Sequence, residues 1–134
     1  MFRYFNISEF TNSQTAKANS INNWPSDTVA FNNTVYLGYY LDYIRDCYGH
    51  PIVINSGYRC KELNKLVGGV QNSKHIAGLA VDISILHTTD YGKLYKLLAE
   101  NARYISINHN KHYIHVDYSR DFLYNFYKTH VYEK

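Results

Sequence analysis

An aspartate inside an apolar segment is the feature of this sequence that most constrains its fold. Residues 79–85 read Leu-Ala-Val-Asp-Ile-Ser-Ile, a run of apolar and β-branched residues typical of a buried strand. Burial of the Asp82 carboxylate is costly unless it is paired with a cation or bound to a metal. Strand alternation places the small Ala80 on the same face, which leaves room beside the carboxylate. The fold must therefore bring partners to Asp82, unless this is an edge strand whose aspartate faces solvent.

Two histidines are candidate partners for this carboxylate. His75 lies in a polar loop, and His115 lies in the segment 113–117, Tyr-Ile-His-Val-Asp, where Ile114 and Val116 point to the opposite face. Taken alone, each histidine is as easily a half-exposed side chain. Together, two imidazoles and one carboxylate have the composition of a catalytic zinc site, in which water takes the fourth position. Zinc in such a site lowers the pKa of water and polarises a carbonyl, so that an amide can be attacked without a protein nucleophile.

The remaining elements are predicted from hydrophobic periodicity and from capping residues. Neither a repeat, nor a linker, nor a low-complexity segment interrupts the chain, so we expect one α+β domain over residues 1–134. The expected elements are a short N-terminal helical piece, a long helix at 29–47 whose start Asn32 and Asn33 could delay, a strand at 51–55 followed by a turn at 56–59, helical turns at 62–67, the strand at 79–85, a helix at 90–101, strands at 104–107 and 113–118, and a helix at 122–127 capped by Ser119 or Asp121.

Composition and charge exclude several classes of protein. The net charge is +3, and the basic residues form no stripe, so we expect no nucleic-acid partner. No apolar stretch reaches the ~20 residues that span a bilayer, and the N-terminus lacks the features of a signal peptide. We therefore expect no membrane insertion, synthesis in the cytoplasm and a monomeric protein. Cys47 and Cys60 have no metal-ligand spacing, and we interpret them as ordinary thiols, with a single bridge as the alternative.

Three motifs in register give the sequence a family resemblance. Ser-x-His-x-x-Gly-x-Ala-x-Asp occupies residues 73–82, with Ser-Gly-Tyr-Arg at 56–59 and Ile-His-Val-Asp at 114–117. With these motifs the chain resembles the zinc D-alanyl-D-alanine carboxypeptidase family of metallopeptidases, especially its small stand-alone members from phages and prophages. The resemblance implies the fold of the hedgehog signalling domain and of DD-peptidases, a small antiparallel sheet flanked by helices, and one Zn²⁺ ion. The implied reaction is hydrolysis of amide bonds in the stem peptides of bacterial peptidoglycan.

The resemblance also implies roles for individual residues. His75, Asp82 and His115 match the three zinc ligands of the family. Arg59 matches an arginine near the substrate, whose fork of donors suits a carboxylate or a developing oxyanion. Ser73 occupies a position where family members place a polar residue beside the substrate.

The sequence departs from the family at the position of the general base. Many members carry a Glu or Asp three residues before the last histidine ligand, and this chain has His112 there. A neutral histidine can accept a proton near pH 7, but His112 is equally interpretable as a surface residue. His109 and Asp117 are further candidates. Asp117 shares a face with His115 and could instead orient its imidazole.

Three functional hypotheses therefore remain open at this point. The first is a zinc peptidase of the endolysin type that cuts the cell wall. Such an enzyme would gain access to the wall after lysis, through a pore-forming helper or from a virus particle. The second is a zinc-containing module of the same fold that binds wall peptides or another protein without catalysis. The third is a structural or virion-associated protein whose metal site is vestigial.

Overall fold

The computed structural model describes residues 1–132, which are organised around a four-stranded antiparallel sheet. The strands lie in the order β1-β2-β4-β3, so β2 and β4 are the central pair. The edge-strand alternative for Asp82 is therefore wrong, because Asp82 lies on β2. The strands are β1 (Ile54–Ser56), β2 (Ala80–Ser84), β3 (Tyr104–Asn108) and β4 (Tyr113–Asp117).

Six α-helices in the described part of the chain flank this sheet and confirm the expected α+β class. None of them is long and apolar enough to span a membrane. Cys47 and Cys60 are both free thiols, as expected. The helices are α1 (Ile7–Thr11), α2 (Gln14–Ala18), α3 (Thr28–Tyr48), α4 (Lys61–Leu66), α5 (Tyr91–Ala99) and α6 (Arg120–Tyr127), and a π-helical turn follows at Lys128–Tyr132.

The long helix α3 begins where a cap permits it. The side chain of Asp27 accepts a hydrogen bond from the first turn, and Gly49 ends the helix with a φ of +85°. The prediction that two asparagines could delay its start is wrong. Asn33 is buried, and its side-chain amide donates to the backbone oxygen of Ala77 at 2.9 Å. This tertiary hydrogen bond compensates for the weak helix propensity of asparagine.

The two faces of the sheet carry different kinds of side chain, because side chains alternate along each strand. One face of β2 and β4 packs against α3 and forms the core, which contains Leu37, Leu41, Ile44, Val81, Ile83, Ile114 and Val116. Asp82 and His115 lie on the other face, directly opposite each other in the β2–β4 register. The sheet thus separates the hydrophobic core from the polar groups of the candidate site.

The first strand differs from its prediction. Strand pairing begins at Ile54 instead of residue 51, and it includes Ser56, which was expected in a turn. Pro51 has no N–H for a ladder hydrogen bond, and Ile52 is buried in the core. An irregularity between Ile54 and Ser56 then places Ser56 opposite Asp82. The end of β1 is thereby brought to the candidate site.

We predict that Gly78 is required by the loop that carries His75. Gly78 has a φ of +75°, and a Cβ there would lie 2.5 Å from the backbone oxygen of Ala30 and 2.6 Å from Oγ1 of Thr34. Gly78→Ala should lower the free energy of unfolding by about 3 kcal/mol, from backbone strain and overpacking together. Denaturant unfolding measures this loss.

Gly68→Ala is the matched control for this substitution. Gly68 has a φ of +77°, but a Cβ there would meet no atom within 4 Å. Gly68→Ala should therefore lower the free energy of unfolding by only about 1 kcal/mol, the part due to backbone strain. Equal losses of unfolding free energy in the two variants would show that Ala30 and Thr34 of α3 do not restrict the residue at position 78.

Candidate metal centre

Three side chains that are far apart in sequence meet on the polar face of the sheet. His75, Asp82 and His115 each offer one ligand atom, and these atoms lie within 4.8 Å of one another. Oδ1 of Asp82 is 2.8 Å from Nδ1 of His115 and 3.3 Å from Nε2 of His75. The structure therefore brings together the three residues that the sequence predicted as a metal-binding set.

The imidazole of His75 is oriented by a backbone hydrogen bond. Its Nδ1 donates to the backbone oxygen of Gly57 at 2.6 Å, which leaves Nε2 with a free lone pair. Nε2 is buried and has no hydrogen-bond partner among the described residues. Buried polar atoms without partners are rare, and a histidine that donates its other nitrogen to a carbonyl is the usual arrangement of a metal ligand. His75 therefore fits a metal cation.

His115 lies between two carboxylates. Its Nδ1 faces Asp82, and its Nε2 donates to Oδ2 of Asp117 at 3.1 Å. Asp117 is only 1% exposed, and its two oxygens accept hydrogen bonds of 2.5 and 2.9 Å from the guanidinium of Arg103. Asp117 thus orients the imidazole, which is the alternative that the sequence left open for it. We did not expect the part of Arg103, because nothing in the sequence marks it as the neighbour of a buried aspartate.

These contacts shift two pKa values in opposite directions. Burial raises the pKa of Asp82, but the hydrogen bond with His115 and the nearby imidazole of His75 outweigh burial and lower it to about 2. Burial lowers the pKa of His115, but hydrogen bonds with Asp117 and Asp82 outweigh burial and raise it to about 9. At neutral pH His115 is therefore protonated. Metal binding at Nδ1 requires loss of that proton. The position beside Asp82 therefore holds one positive charge, either this proton or a metal cation.

Arg59 is held in the cleft beside this cluster. The cleft has a volume of about 660 Å³, and Arg59, Asp82 and Tyr113 are among its lining residues. The guanidinium of Arg59 lies 3.7 Å from Oδ2 of Asp82 and donates to Oδ1 of Asn64 at 2.9 Å. A Cβ at Gly69 would lie 2.2 Å from Oδ1 of Asn64, so a side chain there would displace the amide that holds Arg59. Arg59 is therefore fixed at the cleft wall, where its remaining donors can meet a ligand.

Ser73, His109 and His112 lie outside this group. Ser73 accepts a hydrogen bond from the backbone N–H of His75 at 3.1 Å and so stabilises the turn that carries it. His109 and His112 are exposed in the turn between β3 and β4, and His112 has a φ of +58°. None of the three is among the residues that line the cleft. The role of His112 as a general base and that of Ser73 beside the substrate remain predictions.

Two imidazoles and one carboxylate that meet at the open face of a helix-flanked antiparallel sheet have the composition of a zinc site. A model of the family described as Peptidase M15 matches residues 3–117 of the chain. Because this match covers most of the sequence, the chain belongs to the M15 peptidase family. No curated protein matches it.

We predict that the three clustered side chains act as one metal site. His75→Ala, Asp82→Ala and His115→Ala should each remove zinc binding, because each deletes one of three donor atoms. Cys60→Ser is the control and should leave zinc content unchanged, since Cys60 is not part of the cluster. Zinc per chain is measured after dialysis. Full zinc content in any of the three alanine variants would contradict the assignment.

A second prediction concerns the residue that orients His115. Asp117→Asn removes the charge that acts on the imidazole, and it should weaken zinc binding by about 10–100-fold, the usual effect of losing such a partner. Competition with a chelator of known affinity measures this change. Asp121→Asn, an exposed position in the first turn of α6, is the control and should bind zinc as the unsubstituted protein does. Equal affinity of the Asp117 and Asp121 variants would show that Asp117 is only structural.

Proposed function

We propose that residues 1–134 form one zinc peptidase domain that hydrolyses amide bonds in peptidoglycan stem peptides. The observation that carries this proposal is the buried, unpaired Nε2 of His75, aimed at the carboxylate that His115 also contacts. One Zn²⁺ ion would be held by Nε2 of His75, a carboxylate oxygen of Asp82 and Nδ1 of His115. A zinc ion there supplies a water molecule of lowered pKa and polarises a carbonyl group.

Arg59 is the proposed substrate-binding residue of this site. Its guanidinium is largely buried, its orientation is set by Asn64, and it lies next to Asp82. A guanidinium in this position can bind a peptide carboxylate or stabilise the oxyanion that develops when the carbonyl carbon becomes tetrahedral. Ser73 could assist from the loop beside it. With Arg59 in either of its two roles, the scissile amide would lie over the open face of β2 and β4.

Hydrolysis needs a carrier for one proton. The water oxygen forms a bond to the carbonyl carbon, the carbon–nitrogen bond breaks, and a proton from the water is transferred to the leaving amine. Asp82 is the only carboxylate among the described residues that line the cleft, and it belongs to the metal-binding set. We retain His112 as the proposed proton carrier because of its position in the sequence, three residues before His115, where many family members carry an acid.

The cell wall is the proposed place of action. The chain belongs to a family of peptidases, and its motifs resemble those of wall-cutting members. Its net charge of +3 favours approach to an anionic polymer. A phage-encoded enzyme of the endolysin type, which reaches the wall after release from the cytoplasm, agrees with these features.

We predict chelator-sensitive cleavage of peptidoglycan. Zinc-loaded protein should release new amino groups from purified walls, removal of zinc should stop the release, and added zinc should restore it. The Asp82→Ala variant is the matched control for contaminating hydrolases and should release none. Absence of release from walls of several cross-link types would contradict the proposed function.

A zinc-containing module that binds wall peptides without cutting them is the second candidate. It is favoured by the position of His112, which is exposed and does not line the cleft. Cleavage of wall peptides by the unsubstituted protein separates the two candidates, and the His112→Ala variant then tests the proton carrier. In an enzyme that uses His112, this substitution lowers the cleavage rate about 10²–10⁴-fold while zinc and wall binding persist. In a binding module it changes nothing, because cleavage is absent from the start.

A further inference from the structure

A second groove adjoins the cleft of the metal centre. Its volume is about 510 Å³, and its walls come from α1, α2 and the segment 21–24. Asn12 and Ser13 line both this groove and the cleft that contains Asp82. The two depressions therefore lie next to each other at the turn between α1 and α2. Each has a volume typical of a binding site for a small molecule or a peptide segment.

The wall of the second groove is joined rigidly to the loop that carries Arg59. Asn23 is 8% exposed, and its amide nitrogen donates to the backbone oxygens of Thr11 and Tyr58, both at 2.9 Å. Its amide oxygen accepts from the backbone N–H of Cys60 at 2.8 Å. Every polar atom of this side chain thus connects the groove to the residues on either side of Arg59. A groove fixed in this way requires little ordering when a ligand binds.

The groove has walls of mixed polarity, with one large aromatic side chain. Trp24 is 44% exposed and contacts Phe31 on one side, with ring centroids 5.9 Å apart. Tryptophan contributes a large contact area at binding sites. Asn22 supplies amide groups that can pair with a peptide backbone, and Lys17 supplies a positive charge. Glu9 also lines the groove and accepts a hydrogen bond from the N–H of Asn6 at 3.4 Å, so the groove carries one charge of each sign.

We propose that this second groove binds the part of an extended peptide substrate that lies away from the scissile bond, with Trp24 as its main contact. This inference rests on the proposed peptidase function and adds a preference for chain length to it. A peptide is favoured as the occupant because the groove lies next to the cleft in which the amide would be cut and shares Asn12 and Ser13 with it. The amide and hydroxyl side chains of Asn12, Ser13 and Asn22 can pair with successive backbone groups, and Lys17 can meet a peptide carboxylate.

Tryptophan fluorescence tests this proposal directly, because Trp24 is the single tryptophan of the chain. Zinc-loaded protein is mixed with a stem pentapeptide or with its C-terminal dipeptide, and emission is recorded in the first seconds. The pentapeptide should change the intensity or wavelength of the emission, and the dipeptide should not. No change with the pentapeptide would overturn the proposal. A change only when a disaccharide is attached to the peptide would assign the groove to a glycan and would also overturn it.

Kinetics with peptides of increasing length give the second measurement. In the unsubstituted protein kcat/KM should rise with length, and Trp24→Ala should lower kcat/KM about tenfold for the longest peptide while leaving the shortest cleaved peptide unchanged. Tyr91→Ala, which removes a ring that is 39% exposed at the start of α5, is the control and should preserve the length dependence. Lys17→Gln, at an exposed position of α2, should weaken it if Trp24→Ala does not fold.

The outcomes separate this proposal from the proposed function. Cleavage with the same length dependence in the Trp24→Ala variant and the unsubstituted protein would overturn the groove and leave the peptidase intact. If the protein neither cleaves nor binds any wall peptide, the proposed peptidase function is overturned, and the groove as a substrate site is overturned with it.

Discussion

The buried carboxylate of Asp82 is the constraint on which the rest of the structure depends. It lies on a central strand, directly opposite His115 in the register of β2 and β4. His75 approaches it from the loop before β2, and the guanidinium of Arg59 approaches from the end of β1. A carboxylate in this position is tolerated only because cationic or proton-donating groups surround it. The strand order, the irregular pairing of β1 and the path of the loop before β2 bring those groups to the carboxylate.

A chain of alternating charges extends from this carboxylate towards the surface. Asp82 contacts His115, His115 contacts Asp117, and Asp117 forms a two-pronged ion pair with Arg103. Arg103 is half-exposed and Asp117 is buried, so the outermost charge is the most solvated of the four. Each member fixes the orientation of the next, and the imidazole of His115 cannot rotate without breaking two hydrogen bonds. Rigid donors of this kind give a metal site its geometry before the metal binds.

Much of this site could be predicted from the sequence, because its three central residues stand out against their local patterns. Asp82 interrupts an apolar strand, and His115 occupies the polar face of another, so alternation alone places them on open faces. The helices were predicted from the spacing of their apolar residues and from their capping residues. Strand β1 was placed too early because an apolar run does not reveal where pairing begins. The pairing of β1 depends on its register with β2, which no local pattern encodes.

The supporting residues could not be predicted in the same way. Asn23 and Asn33 bind backbone groups of distant segments, and Asn64 binds the side chain of Arg59. An asparagine in a loop or a helix carries no mark of such a partner. Arg103 is recognisable only once β3 and β4 are paired. The position of His112 depends on the left-handed backbone of a turn, which strand alternation does not describe. Local patterns thus predict the ligand set, whereas tertiary hydrogen bonds determine what surrounds it.

X-ray absorption at the zinc edge of the zinc-loaded protein tests the central claim most directly, namely that two imidazoles and one carboxylate share a single cation. The account predicts one zinc per chain with a first shell of nitrogen and oxygen atoms at about 2.0–2.2 Å and outer-shell scattering from two imidazole rings. A sulfur neighbour at about 2.3 Å would place the metal on Cys47 or Cys60 and would contradict the account.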